Sequence, residues 1–196
     1  LGDASQTITN TSSTRSGSAA IVENSGNNGN VVTATLPPGV SIASTGSASA
    51  QSENQAQNSL VQSIRERETS ADAEQGLIQQ VESFINSLPS TSNIDVRTLT
   101  PTSVSTAPGQ PIVVTGSSSL STSQTEAFVI DLTQMPATDA TQLELHNIDL
   151  AVIIGPANVS GGSGSNVVYA DDHSQSIILG ADDDTLDGGG GNDTIG

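Results

Sequence analysis

The last 36 residues, Gly161 to Gly196, read GGSGSNVVY, ADDHSQSII, LGADDDTLD and GGGGNDTIG when they are divided into blocks of nine. In every block the eighth position is aliphatic and the sixth carries a side-chain oxygen. The aliphatic residues are Val168, Ile177, Leu186 and Ile195, and the sixth positions are Asn166, Gln175, Asp184 and Asp193. A nine-residue period of this kind indicates stacked supersecondary units rather than one globular core.

The first and fourth blocks fit the pattern G-G-x-G-x-[DN]-x-(apolar)-x, whereas the middle two are degenerate but keep the phase. Adjacent glycines allow positive φ angles and a close approach of the backbone to an ion. Calcium prefers six to eight oxygen ligands, many of them main-chain carbonyls. The alternative is a flexible Gly/Asp-rich linker, but a linker has no reason to keep an aliphatic residue at every ninth position.

These blocks resemble the hemolysin-type calcium-binding nonapeptides of RTX proteins. The resemblance implies that the six-residue glycine-rich half of each block is a turn that holds calcium. The other three residues would form a short strand, and two blocks would make one coil of a right-handed parallel β-roll. Carried over onto this chain, the metal-binding residues would be Asn166, Gly180, Asp182, Asp184, Gly188, Gly190 and Asp193.

The blocks also depart from the family pattern. Ions in such rolls lie between turns two blocks apart, so Asn166 would stack with Asp184, and Gln175 with Asp193. Amides are neutral and bind cations more weakly than carboxylates, and the block that begins at Ala170 has no glycine. We therefore expect a degenerate first coil, with the stronger sites at the two aspartates. Because the array stops on a complete block, we also expect the natural chain to continue past Gly196.

The net charge of the chain also indicates that it binds cations, and this argument is independent of the repeat pattern. The net charge is −17, with no lysine and only four arginines. A chain with so few basic residues lacks the patches that bind nucleic acid or anionic membranes. Seven of the 21 carboxylates lie between Asp171 and Asp193, with no basic residue among them. Such a cluster repels itself unless cations neutralise it.

Composition limits the other classes of protein. The absence of cysteine excludes disulfides, thiolate zinc sites and cysteine catalysis. Low hydrophobicity with high net charge is also the signature of disorder, which the periodic tail argues against. No apolar run is long enough to span a membrane, so we expect no membrane insertion. The N-terminus has no secretory signal pattern, but the RTX resemblance implies export by type I secretion to the cell surface or beyond.

The rest of the chain predicts strands around two helices. Two capping boxes, Ser52 with Gln55 and Asp72 with Gln75, begin helices near 52–68 and 72–88. The helices would form a hairpin, packed within the chain or on a partner subunit. Strands are predicted over residues 31–36, 94–99, 111–116, 127–132 and 143–154.

The predicted fold is mainly β, with a right-handed β-roll or β-solenoid at the C-terminus and an N-terminal α/β part. Its divisions are an extended or flexible arm (1–30), an α/β part (31–135) and a solenoid (136–196). The order of LPPGV, the helical pair, AFVID, GADDDTL and GGGGNDTIG also resembles that of large alphaproteobacterial calcium-binding secreted proteins. That resemblance implies no established activity.

We expect no enzymatic activity. His146 and His173 are the only histidines, and the chain has no G-x-S-x-G, H-E-x-x-H or P-loop motif. The predicted function is that of a calcium-dependent structural protein of a surface layer, matrix, fibre or adhesin, with copies of itself or other surface proteins as partners. The alternative is a calcium-binding carrier module of a larger secreted hydrolase or toxin.

Overall fold

The computed structural model describes residues 3–22, 31–104, 109–116, 124–136 and 140–196. The predicted arm (1–30) therefore lies partly outside the described residues. The strands are β1 (Asp3–Thr9), β2 (Gly17–Val22), β3 (Val32–Leu36), β4 (Val40–Ser47), β5 (Asn93–Ser103), β6 (Ile112–Thr115), β7 (Gln124–Asp131), β8 (Thr141–His146), β9 (Leu150–Ile154), β10 (Ala157–Gly161), β11 (Val167–Ala170), β12 (Gln175–Ile178), β13 (Thr185–Asp187) and β14 (Thr194–Ile195). The helices are α1 (Glu53–Arg65) and α2 (Ala71–Ser87).

The fold is mainly β, and its strands form two mixed sheets. Sheet A has the order β1-β4-β5-β7-β9-β11-β13, and sheet B has the order β14-β12-β10-β8-β6-β3-β2. The N-terminal strands pair antiparallel, as β4 does with β1 and β5. From β7 onward each strand lies in the sheet opposite to that of its predecessor and pairs in parallel with the strand two places earlier.

The register of the last strands matches the period of the sequence. Val168 pairs with Leu186 across β11 and β13, and Ile177 pairs with Ile195 across β12 and β14. Both intervals are 18 residues, which is two blocks of nine. Each aliphatic eighth position therefore lies in a short strand, as the pattern predicts.

An inter-sheet core fills the space between sheets A and B. It runs from Ile21 near one end to Leu179 near the other, and Phe128 is its largest fully buried side chain. Alternating burial along β3 and β6 follows from the two-residue period of a strand, in which every second side chain points inward. One core and two continuous sheets thus cross the predicted boundary at residue 135, and the division into domains stays a prediction.

The helix hairpin covers the outer face of sheet A. Leu60, Ile64, Leu77 and Val81 pack there against outward-facing residues of β5, β7 and β9. Those strands are therefore buried on both faces, whereas the outer face of sheet B has no helix over it among the described residues. The predicted packing of the hairpin within the chain is confirmed. Neither helix of the described chain is long and apolar enough to cross a membrane.

The two helix starts differ from each other. The main-chain N–H of Ser52 donates to Oε1 of Gln55, as half of the predicted capping box requires. The second predicted box is wrong, since α2 begins at Ala71 with Ser70 as its N-cap, and the hydroxyl of Ser70 accepts from the N–H of Ala73. Asp72 instead lies in the first turn, where a carboxylate is favoured by the helix dipole.

Candidate functional site

The predicted metal-binding residues lie in turns that stack in two rows. The B-to-A turns, residues 162–166 and 179–184, carry the chain from sheet B to sheet A. The A-to-B turns, residues 171–174 and 188–193, return it to sheet B. Asn166, Gly180, Asp182 and Asp184 belong to the first row, and Gly188, Gly190 and Asp193 to the second. Because strands two apart are paired, turns in one row lie next to each other.

In the B-to-A row, the two aspartates receive hydrogen bonds from the preceding turn. The N–H of Asn166 donates to Oδ1 of Asp184 at 2.8 Å. The N–H of Gly164 donates to Oδ2 of Asp182 at 3.1 Å. The structure thus brings Asn166 next to Asp184, as the interval of two blocks requires.

The A-to-B row repeats this arrangement. The N–H of Gln175 donates to Oδ1 of Asp193 at 2.9 Å, again over 18 residues. Gly189 and Gly191 both have positive φ, 70° and 93°, and approach the carbonyl oxygens of residues 170–173. A Cβ on Gly191 would lie 2.7 Å from the carbonyl oxygen of His173, so only glycine fits. This close approach gathers main-chain and carboxylate oxygens at one place.

The amide side chains at the sixth positions of the first two blocks act as internal donors. Nδ2 of Asn166, which is 1% exposed, donates to the carbonyl oxygen of Gly164 at 2.7 Å. Nε2 of Gln175 donates to Oδ1 of Asp171 at 2.6 Å and to the carbonyl oxygen of Gly155 at 3.3 Å. Oxygens that a cation would otherwise neutralise therefore already have hydrogen-bond donors in these blocks.

Asp171 is a buried residue that the nonapeptide pattern does not single out. Its carboxylate accepts from the main-chain N–H groups of Gly155 and His173 and from the side chain of Gln175, and it also contacts Nδ1 of His173. The carboxylate of Asp171 therefore holds this turn together through hydrogen bonds to Gly155, His173 and Gln175. The sequence gives no signal that separates Asp171 from its neighbours, since all five residues from 171 to 175 are polar.

Next to this turn lies Glu68, in the connection between α1 and α2. Burial raises the pKa of Glu68, hydrogen bonds from the main chain of Ser70 and Thr69 lower it, and the negative charge of Asp171 raises it further. Its Oε2 is buried and has no hydrogen-bond partner in the described structure.

Side chains alone do not make a metal centre here. In the described part of the chain, no group of three or more His, Cys, Asp or Glu side chains could hold a metal ion. A calcium ion at these turns would need main-chain carbonyl oxygens as most of its ligands. That requirement agrees with the ligand preference of calcium and with the glycine-rich turns.

A second buried group of charged residues lies between the sheets, on β5. Asp95 and Arg97 are two residues apart, both buried, on the same face as Leu99 of the inter-sheet core. Burial raises the pKa of Asp95 to about 6, and the charge of Arg97 partly offsets that rise. Neither residue was among the predicted site residues, because nothing in the local pattern of β5 distinguishes a charged pair from surface positions.

Comparison with protein-family models, with curated proteins and with solved structures finds no match to this chain.

Proposed function

We propose that this chain is a calcium-binding structural protein or segment without enzymatic activity. The observation that carries the proposal is the stacking of glycine-rich turns at an interval of 18 residues. Asp184 and Asp193 lie against the main chain of the turn before them, and Gly189 and Gly191 approach the carbonyl oxygens of residues 170–173. Carbonyl and carboxylate oxygens in a flexible turn are what calcium prefers.

The proposed finer architecture is a right-handed parallel β-roll over the C-terminal strands. It is supported by the alternation of β7 to β14 between the two sheets and by parallel pairing of strands two apart. Calcium would lie between adjacent turns of one row. Asp182, Asp184 and Gly180 would serve the B-to-A row, and Gly188, Gly190 and Asp193 the A-to-B row.

The charge of the tail supports a role for calcium in folding. The seven carboxylates between Asp171 and Asp193 have no basic residue among them. At the last turns, Leu186 is only partly buried and Ile195 is 52% exposed, so little apolar burial opposes the repulsion. Neutralisation by calcium would stabilise the last strands, because ion binding and folding are coupled when the unfolded chain has no site.

A role outside the cell belongs to the same proposal. It is supported by the resemblance to RTX nonapeptides and by the expected strength of the sites. A turn with one or two carboxylates and several carbonyls has the ligand charge of a weak site, and calcium modules of extracellular proteins bind in the range of roughly 10⁻⁴ to 10⁻³ M.

Self-association is the proposed structural role. β13 and β14 are the outermost described strands at one end of the two sheets, and the outer main-chain groups of such strands can pair with another strand. The strands at the opposite end, β1 and β2, contain only one charged residue, Asp3. An acidic end that meets a nearly uncharged end gives a head-to-tail contact, and contacts of that kind propagate into fibres or lattices.

Circular dichroism with calcium titrated against EGTA tests the proposal. We expect a gain of strand signal with calcium at millimolar concentration, and a smaller gain with magnesium, which demands a tighter octahedral geometry. Hydrogen exchange should assign the gain to residues 179–196. A tail whose exchange is the same with and without calcium would show that the turns are not calcium sites.

A further inference from the structure

Two carboxylates of the acidic tail accept hydrogen bonds from the helix hairpin, one from the N-cap of α2 and one from a residue within α2. The hydroxyl of Ser70 donates to Oδ2 of Asp172 at 2.6 Å, across 102 residues of sequence. Nε2 of Gln80 donates to Oδ2 of Asp187 at 2.6 Å, across 107 residues. The helix hairpin therefore contacts the tail through specific polar bonds as well as through the apolar face of sheet A.

The second oxygen of each carboxylate faces the glycine-rich turn at 188–193. Oδ1 of Asp187 accepts from the N–H of Gly189 at 3.0 Å. Oδ1 of Asp172 lies so close to Gly190 that a Cβ there would be 2.5 Å away. Each carboxylate thus bridges α2, or its N-cap, to the turn that holds Gly188, Gly190 and Asp193.

The connection between the helices, residues 66–70, is here called the elbow. It brings a further buried carboxylate to this place, since Oε1 of Glu68 accepts from Thr69 and Ser70 while Oε2 has no partner in the described structure. The elbow has one basic residue, Arg67, and its guanidinium pairs with Asp131 and with Glu66 of the elbow itself rather than with the tail. Carboxylates therefore accumulate where the elbow meets the tail.

We infer that Ser70 and Gln80 are positioning residues for the cation site at 188–193, and that calcium binding there is coupled to docking of the helix hairpin. The inference rests on the proposed calcium binding. Calcium beside Asp172 and Asp187 offsets the repulsion among the carboxylates where the elbow meets the tail, and so keeps the elbow packed against the tail. By reciprocity, a docked α2 orients the two carboxylates and strengthens calcium binding by the same factor.

Cleavage by trypsin reports on the elbow, because trypsin cuts after lysine and arginine and the chain has no lysine and only four arginines. Arg65 and Arg67 lie at the end of α1 and in the elbow, while exposed Arg15 lies between β1 and β2 and serves as an internal reference. We expect calcium to slow cleavage at Arg65 and Arg67, relative to Arg15, by about fivefold or more. The ratio cancels the effect of calcium on trypsin itself.

A matched pair of variants tests the positioning role. Gln80→Ala removes the bond to Asp187, whereas Gln79→Ala changes an exposed neighbour on the same helix. We expect calorimetry to give a calcium Kd that is about three to tenfold weaker for Gln80→Ala than for Gln79→Ala, since hydrogen bonds to charged groups are among the stronger ones. Equal affinities would overturn the positioning role.

A third variant tests the elbow without removing the helix cap. Aspartate is as good an N-cap as serine, so Ser70→Asp keeps α2 while it places a carboxylate against Asp172. We expect faster cleavage at Arg65 and Arg67 in EGTA than in wild type, and no such change in Ser90→Asp, which alters an exposed residue beyond α2.

The outcomes separate the two proposals. If exchange of residues 179–196 does not respond to calcium in wild type, the proposed function fails and the coupling fails with it. If the tail responds to calcium but the cleavage ratio does not, only the coupling is overturned.

Discussion

At the scale of single residues, the sixth position of each block decides what the turn requires. Asn166 and Gln175 are nearly fully buried and donate to oxygens of the main chain or of Asp171. Asp184 and Asp193 have no hydrogen to donate when ionised, and they bring negative charge instead. Amide blocks are therefore closed by their own hydrogen bonds, whereas under the proposed function the aspartate blocks depend on an external cation.

Asp184→Ala and Asp193→Ala should each weaken calcium binding by about tenfold or more. The reason is that unit charges about 4 Å apart near a protein surface interact by several kcal/mol. Asn166→Ala should leave the calcium Kd nearly unchanged and lower the free energy of unfolding by about 1 to 3 kcal/mol, because Gly164 loses its donor. Calorimetry and denaturant unfolding on the three variants measure both quantities. Equal losses of calcium affinity in all three variants would contradict the distinction between amide blocks and aspartate blocks.

Asp95 should make stability depend on pH between about 4 and 6. Below that window both the folded and the unfolded chain bind the proton. Within it the unfolded chain releases the proton while the folded chain, with a pKa of about 6, retains it, so stability falls as pH rises. The unfolding free energy of wild type should therefore drop by about 2 kcal/mol relative to Asp95→Asn across this window. Urea unfolding of both proteins at pH 4 and pH 7 measures the difference; a constant difference would argue against the raised pKa.

At the scale of elements, the sequence predicted the helices and strands in which apolar residues recur at a regular spacing. The nonapeptides, the helix hairpin, and strands β3 and β5 to β9 lie where the apolar pattern indicates. The apolar pattern does not predict β4, because Ser and Ala dominate residues 41–50. Its inward residues Val40 and Ile42 belong to the inter-sheet core, and β4 is held there by pairing with β1 and β5, which are distant in sequence. The bonds from Ser70 and Gln80 to the tail could not be predicted, since they depend on how the hairpin lies on sheet A.

The A-to-B turn offers a test with glycines. Gly189→Ala places a Cβ 2.6 Å from the carbonyl oxygen of Asp171 at a φ of 70°, so it should destabilise the last turn by more than about 1 kcal/mol. Gly76→Ala lies in the middle of α2 with open space around it and should instead stabilise the protein by up to about 1 kcal/mol. Hydrogen exchange at β13 and β14 and thermal unfolding distinguish the two effects. A neutral Gly189→Ala would mean that the turn does not need glycine there.

At the scale of the whole molecule, charge is distributed unequally between the two ends. The proposed head-to-tail contact places Ile195, at the acidic end, against the edge of another copy. Ile195→Lys should therefore reduce calcium-dependent association. Ile178→Lys is the matched control, because Ile178 is similarly exposed, at 56%, but lies on β12, which is paired on both sides. Light scattering at saturating calcium compares the two variants. A wild-type protein that stays monomeric at high concentration would contradict the contact.

The alternation of strands between the two sheets sets the unit in which this tail can change its length. Removal of residues 170–178, one block, would send every later strand to the opposite sheet and exchange the two rows of turns. Asp184 would then follow Ala157 rather than Asn166 along its row. Removal of residues 161–178, two blocks, would delete one strand from each sheet and leave the remaining strands in their own sheets. Insertions and deletions in steps of 18 residues therefore keep each later strand in its own sheet, while steps of nine move the later strands to the other sheet.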